Sequence, residues 1–96
     1  MPISSQSTGW EDFLTLCKSV ESTVALDELC SLLFTLEEKA QLALRVELVK
    51  ELLKGQKTQR EIARDLNISI AKITRGSNAL KTTSESVKGF IKQQLL

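Results

Sequence analysis

The sequence predicts an all-α fold of about six helices, and three observations carry that expectation. Apolar residues recur at three- and four-residue intervals over most of the 96 residues. No long alternating apolar/polar run and no β-branched cluster marks a strand. N-cap signals return every ten to twenty residues, and the single proline lies outside every helical pattern. With 42% hydrophobic and 26% charged residues, the composition is that of one ordinary globular domain.

The elements follow in order. Residues 1–8 are polar and read as a flexible N-terminal arm, with 9–96 as one helical domain. In "TGWEDFLTLCKSV", Thr8 is the expected N-cap, Glu11 follows three residues on, and Trp10, Phe13, Leu14 and Cys17 share a stripe. "TVALDELCSLLF" carries Leu26, Leu29, Cys30 and Leu33 on its apolar side. "TLEEKAQLALRVELVKELLKG" opens on a capping box, Thr35 with Glu38, and stops at Gly55, suited to a left-handed C-terminal cap. This longest helix has Leu42, Leu44, Val46, Leu48, Val49, Leu52 and Leu53 around too wide an arc for one core face, so burial from two sides is expected. A second copy in a helical homodimer would supply the other side; a tightly wrapped monomer core is the alternative. The C-terminal "SESVKGFIKQQLL" reads as a packing helix through Val87, Phe90, Ile91 and Leu95, and the aromatic residues read as core.

Composition excludes several functions. No basic, apolar leader opens the sequence and no apolar run approaches membrane-spanning length, so a cytoplasmic protein is expected. Cys17 and Cys30 lack metal-ligand spacing and read as reduced thiols. There is no histidine, the commonest general base and metal ligand, and no nucleophile, base and orienting partner fall into an arrangement. The expectation is therefore no enzyme, no metal and no catalytic cofactor.

Charge is unevenly placed. Residues 1–53 hold four Lys/Arg against nine Asp/Glu, a net of −5, whereas residues 54–81 hold seven against two, a net of +5. Such a block meets a polyanion, or is merely a solvated helix surface. Its organisation favours the first. "TQREIARDL" has a second capping box, Thr58 with Glu61; "NIS" is a tight turn; Ser69 caps "IAKITRGSNALK". That is the plan of a helix-turn-helix at 58–82, although hairpins in ordinary bundles share it. Ile62, Ala63, Leu66, Ile68 and Ile73 sit where the two helices must touch, and Asn67 tolerates the left-handed turn. The N-terminal residues of a groove-reading helix meet base edges, which selects Ile70, Ala71, Lys72 and Thr74. Gln59, Arg60, Lys57 and Lys81 are placed to hold phosphates.

Gly76 sits where a helix of this plan shows its core a bulky side chain. Either a neighbouring helix approaches closely there, or a hole beside Arg75 seats a flat, carboxylate-bearing ligand.

From Leu32 to Leu96, and above all in "LLFTLEEKAQLALRVELVKELLKG", "TQRE" and "ITRGSNALK", the chain resembles the tryptophan repressor family. The resemblance implies an intertwined homodimer that binds palindromic double-stranded operator DNA when L-tryptophan, the corepressor, fills a pocket beside the reading helix. It places Arg45 and Arg75 around the indole near Val49 and Gly76. Thr35 and Arg75 would hold the carboxylate, and the backbone carbonyls of Leu32 and Phe34 would accept from the ammonium, much of the set coming from the partner subunit. Ala79 stands where the family commonly has a serine hydroxyl near that ammonium, and Lys72 replaces a threonine. For DNA the implied set is Gln59, Arg60, Ile70, Ala71, Lys72, Thr74 and Lys81. Three other readings stay open: a ligand-independent helix-turn-helix protein, the same repressor answering to another indole, and a helical adaptor for an acidic protein surface.

Overall fold

A computed structural model describes residues 5–96 of the chain, with side chains from residue 8. Among them the protein is all-helical, with six helices and no strand: α1 Ser5–Ser19, α2 Thr23–Leu33, α3 Leu36–Lys54, α4 Gln59–Leu66, α5 Ile70–Thr82 and α6 Glu85–Leu95. No helix among them is long and apolar enough to cross a membrane. Both cysteines are free and half-buried.

Helix boundaries are set by local chemistry. In the α3 box the Thr35 amide donates to Glu38 Oε1 at 2.9 Å and the Glu38 amide to Thr35 Oγ1 at 3.0 Å. The α4 box repeats this, Thr58 to Glu61 at 2.8 Å and Glu61 to Thr58 at 3.1 Å. Each box satisfies two of the amides that a helix start leaves without partners. Ser22, Ser69 and Ser84 cap α2, α5 and α6 through single side-chain bonds. Gly55 closes α3 at φ +66°, its amide donating to the Glu51 carbonyl. Asn67 closes α4 at φ 54°, the one non-glycine residue at positive φ among the described residues. Its amide donates to the Arg64 carbonyl and that of Ile68 to the Ala63 carbonyl, the paired bonds of a Schellman ending.

The first helix corrects one expectation. Thr8 lies inside α1 and does not cap it, because Ser5–Thr8 form its first turn. Nothing in that polar stretch breaks a helix. Of the arm expected over 1–8, residues 1–4 lie outside the described residues.

The contacts divide the chain into two compact units, one running to Lys39 and the other Ala40–Leu96. In the N-terminal unit Phe13 stacks against Trp10 at 5.4 Å and meets Phe34 edge-on at 5.9 Å. Lys39 Nζ ties the α2 side chains of Asp27 at 3.2 Å and Ser31 at 2.8 Å. The C-terminal unit has the buried core: Leu48, Ile62 and Ile73, with Leu52, Ala63, Leu66 and Ile68 packed around them. All five apolar residues expected between α4 and α5 are in that cluster.

Most other large apolar side chains are open to solvent in the single chain, the aromatic residues expected in a core among them in part. Trp10 is 60% and Phe90 62% exposed, and on α3 Leu42 and Val46 are exposed while Leu48 alone is buried. A single chain of this size lacks the mass to cover them.

The α4 cap yields a test. The Thr58 amide, then its hydroxyl, holds the Glu61 carboxyl below the ordinary carboxylate range. The stability this adds is fully present above that range and is lost as pH falls through the depressed value. Thr58→Ala is expected to cost about 1 kcal/mol in urea unfolding at neutral pH. In an NMR titration the Glu61 carboxyl should move part of the way back up, and an unchanged titration would refute the cap's role.

Candidate functional site

On a helix advancing about 100° per residue, α5 sorts its side chains into three faces. Ile73 points to the core side and is fully buried, and Leu80, two turns on, lines the pocket described next. Lys72, Arg75, Gly76 and Ala79 form the second face, which lines a pocket of about 590 Å³. Ile70, Ala71, Thr74 and Lys81 form the third, and all four are exposed.

The pocket's opposite wall is α3, through Gln41, Leu44, Arg45, Leu48 and Val49, residues that four-residue spacing gathers on one face. Ile68, Leu80 and Thr83, with Val87 and Ile91 of α6, complete the lining. Every lining residue belongs to the C-terminal unit. Of the expected ligand set, Arg45, Val49, Arg75, Gly76 and Ala79 are therefore gathered around one space. Leu32, Phe34 and Thr35 belong to the other unit, Leu32 and Thr35 exposed and Phe34 half-buried. Sequence reasoning missed Gln41, Leu44 and Leu48, although their spacing from Arg45 and Val49 was a usable signal.

The lining is apolar apart from three cations, Arg45, Lys72 and Arg75, with Gln41 and Thr83, and it contains no carboxylate. None of the three cations is in an ion pair among the described residues. Such walls suit a flat apolar body that carries an anion. Ala79 offers a methyl group, and its carbonyl already accepts from Thr82 Oγ1 at 3.1 Å and Thr83 Oγ1 at 2.8 Å.

Gly76 combines the two alternatives that the sequence left open. A Cβ built there would lie 2.9 Å from Leu48 Cδ2 and 3.5 Å from Leu52 Cδ1, so α3 approaches closely. The residue also borders the pocket. Part of the missing side chain's volume is thus taken by Leu48, and only the remainder is open.

On the outer surface, Gln59 and Arg60 occupy the exposed first turn of α4, and Arg60 has no carboxylate partner among the described residues. Lys57 differs. Its Nζ lies 2.9 Å from Asp65 Oδ2 and 3.3 Å from Glu51 Oε2, so this expected phosphate contact is turned to internal partners.

A family model described as "Trp repressor protein" matches residues 8–95. A Trp operon repressor homolog of Chlamydia caviae is 44% identical over 92 residues, covering 96% of this chain and 91% of that protein. One from Chlamydia trachomatis serovar L2 is 41% identical over 90 residues, covering 94% and 96%. One from Histophilus somni strain 2336 is 41% identical over 95 residues, covering 99% and 90%.

The Gly76 contact can be measured by a double-mutant cycle. Gly76→Ala gains helix propensity of about 0.5–1 kcal/mol but overpacks the core against Leu48, at a cost of about 1–3 kcal/mol. It should destabilise the wild type in urea unfolding and stabilise a Leu48→Ala background. Equal effects in both backgrounds would remove the close approach as the reason for the glycine.

Proposed function

The chain belongs to the Trp repressor protein family, a family of transcriptional repressors, and from that premise we propose that it represses as a tryptophan-responsive homodimer. In this reading α4, the Asn67–Ser69 turn and α5 are a helix-turn-helix that docks in the major groove of a palindromic operator. Ile70, Ala71, Lys72 and Thr74 read base edges, while Gln59, Arg60 and Lys81 position the helix pair on phosphates. L-tryptophan sits in the pocket between α3, α5 and α6, its carboxylate near Arg75 and its ring beside Arg45, Val49 and Gly76.

The observation that carries the reading is that one helix has both surfaces. The pocket face of α5, which includes Lys72, adjoins an exposed face bearing the other base-reading residues, Ile70, Ala71 and Thr74, so a ligand against the first can fix the attitude of the second. Tryptophan acts only as far as it binds the DNA-ready arrangement better than the free one. A rigid filler between the α3 wall and α5 has that preference, because a tilt of α5 changes the space it fills. The apolar side chains left open on each unit favour a second copy of the chain as their cover. Leu32, Phe34 and Thr35 would then complete the pocket from the partner subunit.

One observation favours a variant of this reading. With Ala79 in place of a hydroxyl, the pocket face offers the ligand ammonium little to bind, which suits an indole other than tryptophan as the signal.

Calorimetric titration with L-tryptophan and with indoles lacking the ammonium separates these readings. Saturable binding is expected, weakened roughly tenfold or more by Arg75→Ala, the scale of one charged hydrogen bond. Absence of binding by every indole would leave the ligand-independent helix-turn-helix protein. Arg60→Ala should weaken binding to a duplex selected by the wild-type protein while leaving tryptophan affinity unchanged; equal loss of both would refute the division of labour. Sedimentation equilibrium should return twice the chain mass, and a monomer at all concentrations would refute the second copy.

A further inference from the structure

The joint between α3 and α4 is held by charge. Lys57 lies in the short connection between the two helices, and its ammonium reaches Glu51 in the last turns of α3 at 3.3 Å and Asp65 at the end of α4 at 2.9 Å. Asp65 also accepts from Arg64 Nε at 3.2 Å. Two cations and two carboxylates thus close on one another with no net charge. Glu51, whose side chain is only 17% exposed, is the most sheltered member. The same contacts raise the Lys57 pKa, Asp65 acting more strongly than Glu51, and lower that of Asp65, Lys57 acting more strongly than Arg64.

A lysine so placed is a poor phosphate ligand. Turning it to DNA would strip two carboxylates of their counter-charge and leave them facing the phosphate backbone, where like charges repel. The cations without ion pairs among the described residues, including Arg60, Lys72 and Lys81, have no such cost.

Building on the reading of α4 and α5 as the DNA-binding pair, we propose that Lys57 is a positioning residue that sets the attitude of α4, and with it α5, on the end of α3 without touching DNA. Its ammonium bridges the two helix ends across a connection whose backbone is fixed only by Gly55 on one side and the Thr58 cap on the other. Removing the bridge leaves the folded core of Ile62, Ile73 and Leu48 in place and loosens the angle at which the helix pair is presented.

Salt dependence tests this, because deleting one cation that touches a phosphate lowers the slope of log affinity against log salt by about one, whereas a change of attitude lowers affinity at every salt concentration alike. The probe is the duplex that the wild-type protein enriches from a random library in excess L-tryptophan. Lys57→Met is expected to bind it roughly three- to tenfold more weakly, the scale of two exposed ion pairs, with the slope unchanged and Lys57→Arg restoring affinity. Arg60→Ala in parallel should lower the slope by about one. Glu51→Gln gives the sharpest contrast: it should weaken binding if Lys57 positions, and strengthen it if Lys57 is a phosphate ligand freed from a competitor. A slope reduced by one in Lys57→Met, unchanged affinity in that variant, or tighter binding by Glu51→Gln overturns the proposal. Failure of the wild-type protein to enrich any duplex would instead overturn the DNA-binding reading on which it rests.

Discussion

The seating of Gly76 over Leu48 is the constraint on which the C-terminal unit depends. Only three side chains of the described chain are buried, Leu48, Ile62 and Ile73, and each comes from a different helix. With so few, the core has no redundancy. α5 must lie close enough to α3 for Ile73 to meet Leu48, and a Cβ at residue 76 would lie 2.9 Å from Leu48 Cδ2, so the packed Leu48 side chain would have to give way. That approach also fixes the pocket, since its walls are the next residues along the same two helix faces. Core and pocket therefore share one interface, and the fold cannot tighten the first without reshaping the second.

Charge is distributed along the same lines. Lys39 in the N-terminal unit and Lys57 in the other pair with carboxylates where helices join, whereas Lys50 and Lys88 pair within their own helices. On α5 the three cations, Lys72 and Arg75 on the pocket face and Lys81 on the outer face, have no ion pair among the described residues. Within residues 54–81, Lys57 and Arg64 are turned to Asp65, already counted in the net of +5, and Lys57 also to Glu51 outside the block, which lowers the charge open to a polyanion by one more. Apart from Lys54 at the end of α3, what remains lies on α5 and the first turn of α4, the surfaces to which the proposed function assigns ligand and DNA.

What could be read in the sequence was what short-range chemistry decides. Both capping boxes, the Gly55 stop and the Asn67 turn depend on residues at most four apart, and each is where its spacing placed it. The contact set of α4 and α5 was equally legible, because a three-residue turn leaves little freedom of register. The start of α1 was not, since a Ser- and Thr-rich stretch suits a first turn as well as a cap. Nor were the long-range pairings. Lys57 reads as a surface cation until the joint brings Glu51 and Asp65 to it, six and eight residues away. Gly76 leaves a close helix approach and a ligand seat undecided until Leu48, twenty-eight residues earlier, is seen against it. Much of the aromatic and aliphatic stripes lies open in the single chain, because periodicity tells which face is apolar and not which molecule covers it.

The exposure of Trp10 gives the molecule a built-in optical probe. It is the only tryptophan in the sequence, and there is no tyrosine. Its ring stands 60% exposed against Phe13 in the N-terminal unit. The chain's own indole emission therefore comes from one ring whose surroundings are set by that unit. A red-shifted spectrum that moves to the blue as protein concentration rises would report a ring passing from water into an apolar contact, with no label attached. An indole ligand would add a second emitter distinguishable by its dependence on ligand, so self-association and ligand uptake can be followed in the same cuvette.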